Sequence, residues 1–141
     1  MVAIDTNLLV RLLTADHPAQ YNASRKLFAD EDIFISDSVL LETEWVLRAA
    51  FDLSPADVYQ ALRSVLGLAN VHVGNTGMIA RIIDWHEAAF DFSDAFHLAT
   101  TQDQDCFKTF DSEFIKLAKR HTDRRVERPK FRLDPAHQLP V

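Results

Sequence analysis

Short apolar runs of three or four residues recur along the chain, and between them apolar positions return every three or four residues. The first pattern is that of a buried strand, the second that of an amphipathic helix. Val2-Ala3-Ile4, closed by Asp5-Thr6-Asn7, predicts a strand running into a turn. Leu8-Leu9-Val10 with Leu12-Leu13 predicts a helix ending near Thr14-Ala15-Asp16. Pro18 suits the first turn of a second helix running towards Phe28. Ile33-Phe34-Ile35 predicts a second strand, and Ser36 and Asp37 are cap-type residues ahead of a helix from about Ser38 to Phe51. Ser54-Pro55-Ala56-Asp57 joins a capping residue, a proline at the first helical position and an acid three residues after the cap, so a helix follows and runs to Gly67. Val71-His72-Val73 predicts a third strand, with helices after it from about Thr76 to Ala89 and from Ser93 or Asp94 to about Thr101. Cys106-Phe107-Lys108-Thr109 predicts a fourth strand, and Asp111-Ser112 opens a last helix through Leu117-Ala118. From Arg132 to Val141 the Pro-containing end reads as extended or frayed.

Strands that alternate with helices imply parallel pairing, because a parallel crossover needs a connection long enough to be a helix. The class expected is therefore α/β. A length of 141 residues suits one domain with its own core, and no repeat or linker divides it. One cysteine, Cys106, excludes an internal disulfide and with it a stapled secreted scaffold. No apolar run approaches the roughly 20 residues that span a bilayer, and the opening Met1-Val2-Ala3-Ile4 has no basic region of the signal-peptide kind. These features lead us to expect a cytoplasmic protein with no membrane partner.

The net charge of −6 hides a division. Residues 1–115 carry 7 basic and 18 acidic side chains, whereas residues 116–141 carry 8 basic and 3 acidic ones. An acidic body disfavours non-specific nucleic-acid binding, and a local basic stripe favours phosphate contact. A solvated C-terminal face explains the same stripe.

In an open α/β sheet the ligand crevice lies beyond the carboxyl ends of the strands. Asp5 and Asp111 stand at predicted strand ends, and Asp94 opens the helix before the last strand. Acids are also favoured in turns and first helical turns, so each has a structural explanation of its own. On a helix, Val39, Trp45, Val46 and Ala49 surround Glu42, whereas Glu44 sits one turn before Arg48. The expectation is that Glu42 faces a site and Glu44 lies on the surface in an ion pair. Four acids converging on one crevice would repel one another, and a hard divalent cation such as Mg²⁺ or Mn²⁺ resolves that repulsion. No pair of histidines stands at a zinc-ligand spacing on one helix face, and no Gly-rich phosphate loop is present. Cys106 lies in an apolar strand segment and reads as packing.

These residues resemble the PIN domain, in particular the VapC-type toxins of bacterial and archaeal toxin–antitoxin pairs. The resemblance runs through Ala3-Ile4-Asp5-Thr6-Asn7, Ile33-Phe34-Ile35-Ser36, Leu40-Leu41-Glu42 with Trp45-Val46-Leu47, Asp91-Phe92-Ser93-Asp94-Ala95-Phe96-His97-Leu98-Ala99, and Thr109-Phe110-Asp111. It covers residues 1–120 and leaves about 121–141 as a basic C-terminal segment. It implies a three-layer α/β/α fold with a central, mostly parallel sheet. It also implies an endoribonuclease that hydrolyses RNA phosphodiesters, transfer RNA among them, by metal-activated water. Asp5, Glu42, Asp94 and Asp111 match the acidic quartet that holds Mg²⁺ or Mn²⁺. Asn7 matches the residue that orients the first acid, Thr109 the hydroxyl beside the fourth, and Asp91 a secondary acid outside the quartet. The partners implied are a VapB-type antitoxin, RNA and a second copy of the chain as a homodimer. Arg11, Arg124 and Arg125 are the candidate RNA contacts.

Rival readings are a metal-dependent phosphatase or DNA nuclease on a similar sheet, and a non-catalytic PIN module that binds RNA or protein. A haloacid-dehalogenase-type phosphatase wants an Asp two residues after its nucleophile, where Asn7 stands. A phospho-receiver wants adjacent acids ahead of its strand-end Asp, a feature that Ile33-Phe34-Ile35-Ser36 lacks.

Overall fold

The computed structural model describes residues 1–130, so the expected extended end from Arg132 to Val141 lies outside the described residues. Two compact units make up the chain, Met1–Thr100 and Thr101–Val141.

In the first unit the order is β1 (Val2–Ala3), α1 (Thr6–Thr14), α2 (Pro18–Asp30), β2 (Ile33–Phe34), α3 (Asp37–Ala49), α4 (Pro55–Leu66), β3 (Val71–His72), α5 (Thr76–Glu87) and α6 (Phe92–Ala99). The strands form a parallel sheet in the order β1-β2-β3, with Val2 beside Ile33 and Ile33 beside Val71. Ile33 and Ile35 are fully buried, as are Leu9, Leu40, Leu47, Leu62, Ile82 and Leu98 from the helices. Burying a side chain of this size is worth roughly 1.5–3 kcal/mol, which is why such short strands hold. Asn70 ties the entry to β3 onto the end of α2, where its amide donates to the carbonyls of Phe28 at 2.7 Å and Glu31 at 2.8 Å. Those carbonyls are among the acceptors a helix end leaves unmet.

Parallel strands all end on one edge, and here each hands over to a helix with a capping side chain. Asp5 accepts from the N–H of Leu8 at 2.9 Å, Ser36 from Val39 at 3.4 Å and Asn75 from Met78 at 2.9 Å. The N-terminal ends of α1, α3 and α5 therefore gather at the carboxyl edge of the sheet. Helix α1 stops at Ala15, which adopts the left-handed conformation (φ 53°). The corner is pinned by Arg11, whose guanidinium donates to both oxygens of Asp16 at 2.9 and 2.8 Å and to Gln20 at 2.7 Å. The hydroxyl of Thr14 and the Arg11 guanidinium hold the Asp16 carboxyl below its ordinary value, against a weaker opposing effect of desolvation.

The second unit pairs β4 (Phe107–Lys108) in parallel with β5 (Val126–Glu127), and α7 (Ser112–His121) packs against β5. Phe107 and Phe114 stack with ring centres 5.3 Å apart. Glu127 is gripped by Arg125, which donates at 3.1 and 2.8 Å, and by the Lys108 ammonium. The Arg125 and Lys108 hydrogen bonds pull its carboxyl from an ordinary 4.5 down to about 2. A lowered native value means that this grip is complete above pH 4.5 and is lost as the pH falls towards about 2. An NMR titration of the Glu127 side chain is expected to show its midpoint near 2; a midpoint at 4.5 would show that the grip does not form in solution.

The α/β class and the parallel pairing predicted by the alternation are those of the structure, and the predicted element ends fall within about two residues of the observed ones, except that the last helix runs on three residues past Ala118 to His121. The pairing differs from one continuous sheet: among the described residues it divides into three strands and two. Strand β5 was not expected, because Val126 between charged neighbours makes no apolar run.

Candidate functional site

The residues expected to form the site fall on three places in the fold. Asp5 and Asn7 are exposed at the start of α1. They line a groove of about 360 Å³ between α1 and α2 together with Leu8, Arg11 and Gln20. One oxygen of Asp5 holds the N–H of Leu8, and Oδ2 has no partner among the described residues. Arg11 reaches this groove with its guanidinium already committed to Asp16 and Gln20. Its role in the structure is to fix the corner between α1 and α2.

Helix α3 overturns one expectation. Its buried stripe is Leu40, Thr43, Glu44 and Leu47, so Glu44 is buried and Glu42 is exposed. The reason is geometric: Leu40 and Leu47, both fully buried and two turns apart, define the core-facing row, and positions 43 and 44 lie between them. The ring of Val39, Trp45, Val46 and Ala49 around Glu42 is not core, for Trp45 is 57% exposed. Glu44 is nevertheless paired as expected, since Arg48 Nε donates to it at 3.0 Å. His86 stands behind the pair. Its Nδ1 lies 2.9 Å from the Phe90 carbonyl and so carries the proton, and its Nε2 is 4.0 Å from the Glu44 carboxylate. The burial of Glu44 and the place of His86 beside it were not foreseen, whereas the exposed Arg48 partner was, from the four-residue spacing of Glu44 and Arg48.

Helix α6 begins at Asp91, whose side chain accepts from the Ser93 hydroxyl at 2.6 Å and from the Asp94 N–H at 3.1 Å. Burial pushes the Asp91 carboxyl up, but the Ser93 hydroxyl, the backbone N–H groups and the Arg48 guanidinium outweigh it and hold the group below its ordinary value. Asp94 sits half-buried in the first turn. A groove of about 440 Å³ brings Glu42 together with Asp91, Ser93, Trp45 and Arg48.

In the second unit Asp111 caps α7, accepting from Glu113 at 3.0 Å and Phe114 at 3.1 Å. Its own N–H donates to the Thr109 hydroxyl at 3.1 Å, so the two residues that the resemblance pairs do meet. Of the candidate RNA contacts, Arg124 donates to the Thr101 carbonyl at 2.8 Å and Arg125 to Glu127. Lys116, Lys119 and Arg120 are the exposed cations of α7.

Carboxylate oxygens are the donors that Mg²⁺ and Mn²⁺ take, so the chemistry of Asp5, Glu42, Asp94 and Asp111 fits such an ion. Their placement does not yet make a cage: among the described residues no three His, Cys, Asp or Glu side chains stand close enough to hold one ion.

Acids and helix caps gather where parallel strands give way to helices, at the edge where an open α/β sheet places its ligand crevice. The PIN domain model matches residues 2–120, and the chain belongs to the PIN domain family. Among solved structures it is similar to VapC20 of Mycobacterium tuberculosis, described as a Sarcin-Ricin loop cleaving toxin. That match has 20% sequence identity and a TM-score of 0.42, and covers 82% of this chain and 94% of that one. No curated protein matches.

Proposed function

We propose that this PIN domain is an endoribonuclease, the toxin of a toxin–antitoxin pair, that hydrolyses RNA phosphodiesters. The observation that carries the reading is the span of the family match, which takes in Asp5, Glu42, Asp94 and Asp111 together. In it, Asp5 and Asp94 would hold Mg²⁺ or Mn²⁺, with Glu42 and Asp111 completing the set. Such an ion, when bound, activates water and stabilises charge on a phosphoryl group. The chain's own contribution starts at Asp5, whose capping bond fixes the carboxylate at the strand end and leaves Oδ2 to act. Asn7 lines the same groove, and the resemblance gives it the role of orienting Asp5. Glu42 is exposed and free to take a proton from an attacking water. Thr109 steadies Asp111 by accepting its N–H.

Lys116, Lys119 and Arg120 present positive charge for RNA phosphates. The partners of this reading are RNA, a VapB-type antitoxin and a second copy of the chain, and its place is the cytoplasm. Among the described residues no helix is long and apolar enough to cross a membrane.

A binding-only module is the second reading, and it is favoured by the lack of three acids within reach of one ion. The deciding experiment incubates a total transfer-RNA pool with partner-free protein in Mg²⁺ or Mn²⁺ and in EDTA. Metal-dependent cuts that vanish in EDTA and return with added Mn²⁺ are expected. Intact RNA, from protein shown by circular dichroism to be folded, would favour the binding-only module.

A further inference from the structure

Trp45 stands apart from the other large apolar side chains of α3. It is 57% exposed, and it has no ring or hydrogen-bond partner among the described residues. Tryptophan has the largest apolar surface of any residue, so leaving it in water forgoes several times what an exposed alanine would. Nothing in the helix requires it there: the buried stripe is complete with Leu40, Thr43, Glu44 and Leu47.

Its neighbours are specific. Glu42 and Arg48 lie three residues to either side of Trp45, on the same face of the helix. All three line the groove of about 440 Å³ that also holds Asp91. Arg48 is held from below. Its Nε donates to Glu44, whose side chain is only 6% exposed, and its two terminal amino groups have no hydrogen-bond partner among the described residues. A guanidinium anchored at one end and open at the other is pre-organised to take an oxyanion. The same groove thus offers a flat aromatic platform and, one helical turn away, a guanidinium that is ion-paired to Glu44 through Nε and felt by Asp91, with its terminal amino groups still open to donate to a ligand oxygen. The acids beside them repel bare phosphate, so a ligand must present a neutral planar group to Trp45 and bring its phosphate to Arg48.

We propose that this groove is a nucleotide subsite for single-stranded RNA, in which an unpaired base stacks on Trp45 and the adjoining phosphate binds the terminal amino groups of Arg48. Folded RNA is read through unstacked bases in loops, and aromatic platforms of this kind hold them. The inference rests on the ribonuclease reading and deepens it: the substrate is an RNA with at least one unpaired nucleotide beside Glu42.

The test is a titration of the full-length protein in EDTA, with affinities read by calorimetry and fluorescence followed alongside, using a short oligoadenylate and a ribose-phosphate chain of the same length that lacks bases. Oligoadenylate is expected to quench tryptophan fluorescence, and the base-free chain is not. Trp45→Ala should weaken oligoadenylate binding about 5- to 150-fold, the range for losing one stacked base. It should leave the base-free chain's affinity unchanged, and Trp45→Phe should restore most of the loss. Arg48→Gln keeps a donor for Glu44 while removing the charge, and should lower the slope of log affinity against log salt by about 0.7, the share of one phosphate. Circular dichroism of each variant confirms its fold, and Trp45 is exposed enough for its replacements to be tolerated. Unchanged oligoadenylate affinity in Trp45→Ala would overturn the subsite and leave the ribonuclease reading standing. A changed association state at unchanged RNA affinity would overturn it as well and assign the face to a second copy of the chain. If the wild type neither binds nor cuts RNA, both readings fall together.

Discussion

Asn in place of Asp5, and separately in place of Asp94, is expected to lower RNA cleavage by at least about 100-fold, the scale on which a group acting directly in proton transfer or charge stabilisation contributes. Both variants should melt close to the wild type, for reasons that the local structure supplies. Asp5 caps α1 through one oxygen on the Leu8 N–H. Asn caps as well as Asp does, so the cap survives and only the charge and the second carboxylate oxygen are lost. Asp94 lies in the first turn of α6, but the cap of that helix is Asp91. Neutralising Asp94 weakens its interaction with the helix dipole, about 0.3–1 kcal/mol, while Asn keeps a side-chain oxygen in the same place as an acceptor. Cleavage of labelled RNA, read beside a thermal melt, separates the two effects. Wild-type cleavage in either purified variant would remove that acid from the proposed site. Asp111→Asn, which keeps the α7 cap by the same logic, tests the second-unit acid independently.

The devices that start and stop helices were legible because they are local. Ser36 and Ser54 announce their helices through hydroxyls that accept from an N–H three residues on, and Pro55 through a ring that fixes the first helical φ; the structure has both bonds and the proline at the first turn. Asp5 and Asp111 were legible as strand-end acids for the same reason. What depended on distant packing was not. Four apolar neighbours around Glu42 point to the core only if that face meets another element, and the core meets the row of Leu40 and Leu47 instead. A helix with two apolar faces carries no local mark of which one is buried. Arg124 and Arg125 look alike in the sequence, yet one reaches back 23 residues to Thr101 and the other grips Glu127 two residues on. No count of charges distinguishes a cation committed to its own fold from one open to a ligand. Strand β5 exists because it has β4 to pair with, and a two-residue strand has no periodicity to read.

The exchange of Glu42 and Glu44 supplies the second large effect, in which activity and stability move apart. Glu44→Ala is expected to cost about 2 kcal/mol, since it removes a charge-assisted hydrogen bond to Arg48 and opens space beside His86. The cost stays below the 3–5 kcal/mol of stranding a buried charge because the charge left behind, Arg48, is 46% exposed and can rehydrate. For a domain of this size that is a fall in melting temperature of roughly 8 °C. Glu42→Ala touches an exposed position, where replacement shifts stability by less than about 0.5 kcal/mol. Its effect on RNA cleavage should nevertheless match those of Asp5→Asn and Asp94→Asn, a loss of at least about 100-fold. Folded Glu44→Ala protein, assayed well below its melting temperature, should retain cleavage to within about tenfold, a loss set by how far Arg48 drifts once its anchor is gone. The reverse pattern, with Glu44 essential for cutting and Glu42 dispensable, would move the working carboxylate to the buried cluster, where His86 and Arg48 would be its partners. Two acids two residues apart on one helix thus give opposite signatures, because Leu40 and Leu47 turn one inward and leave the other facing the groove.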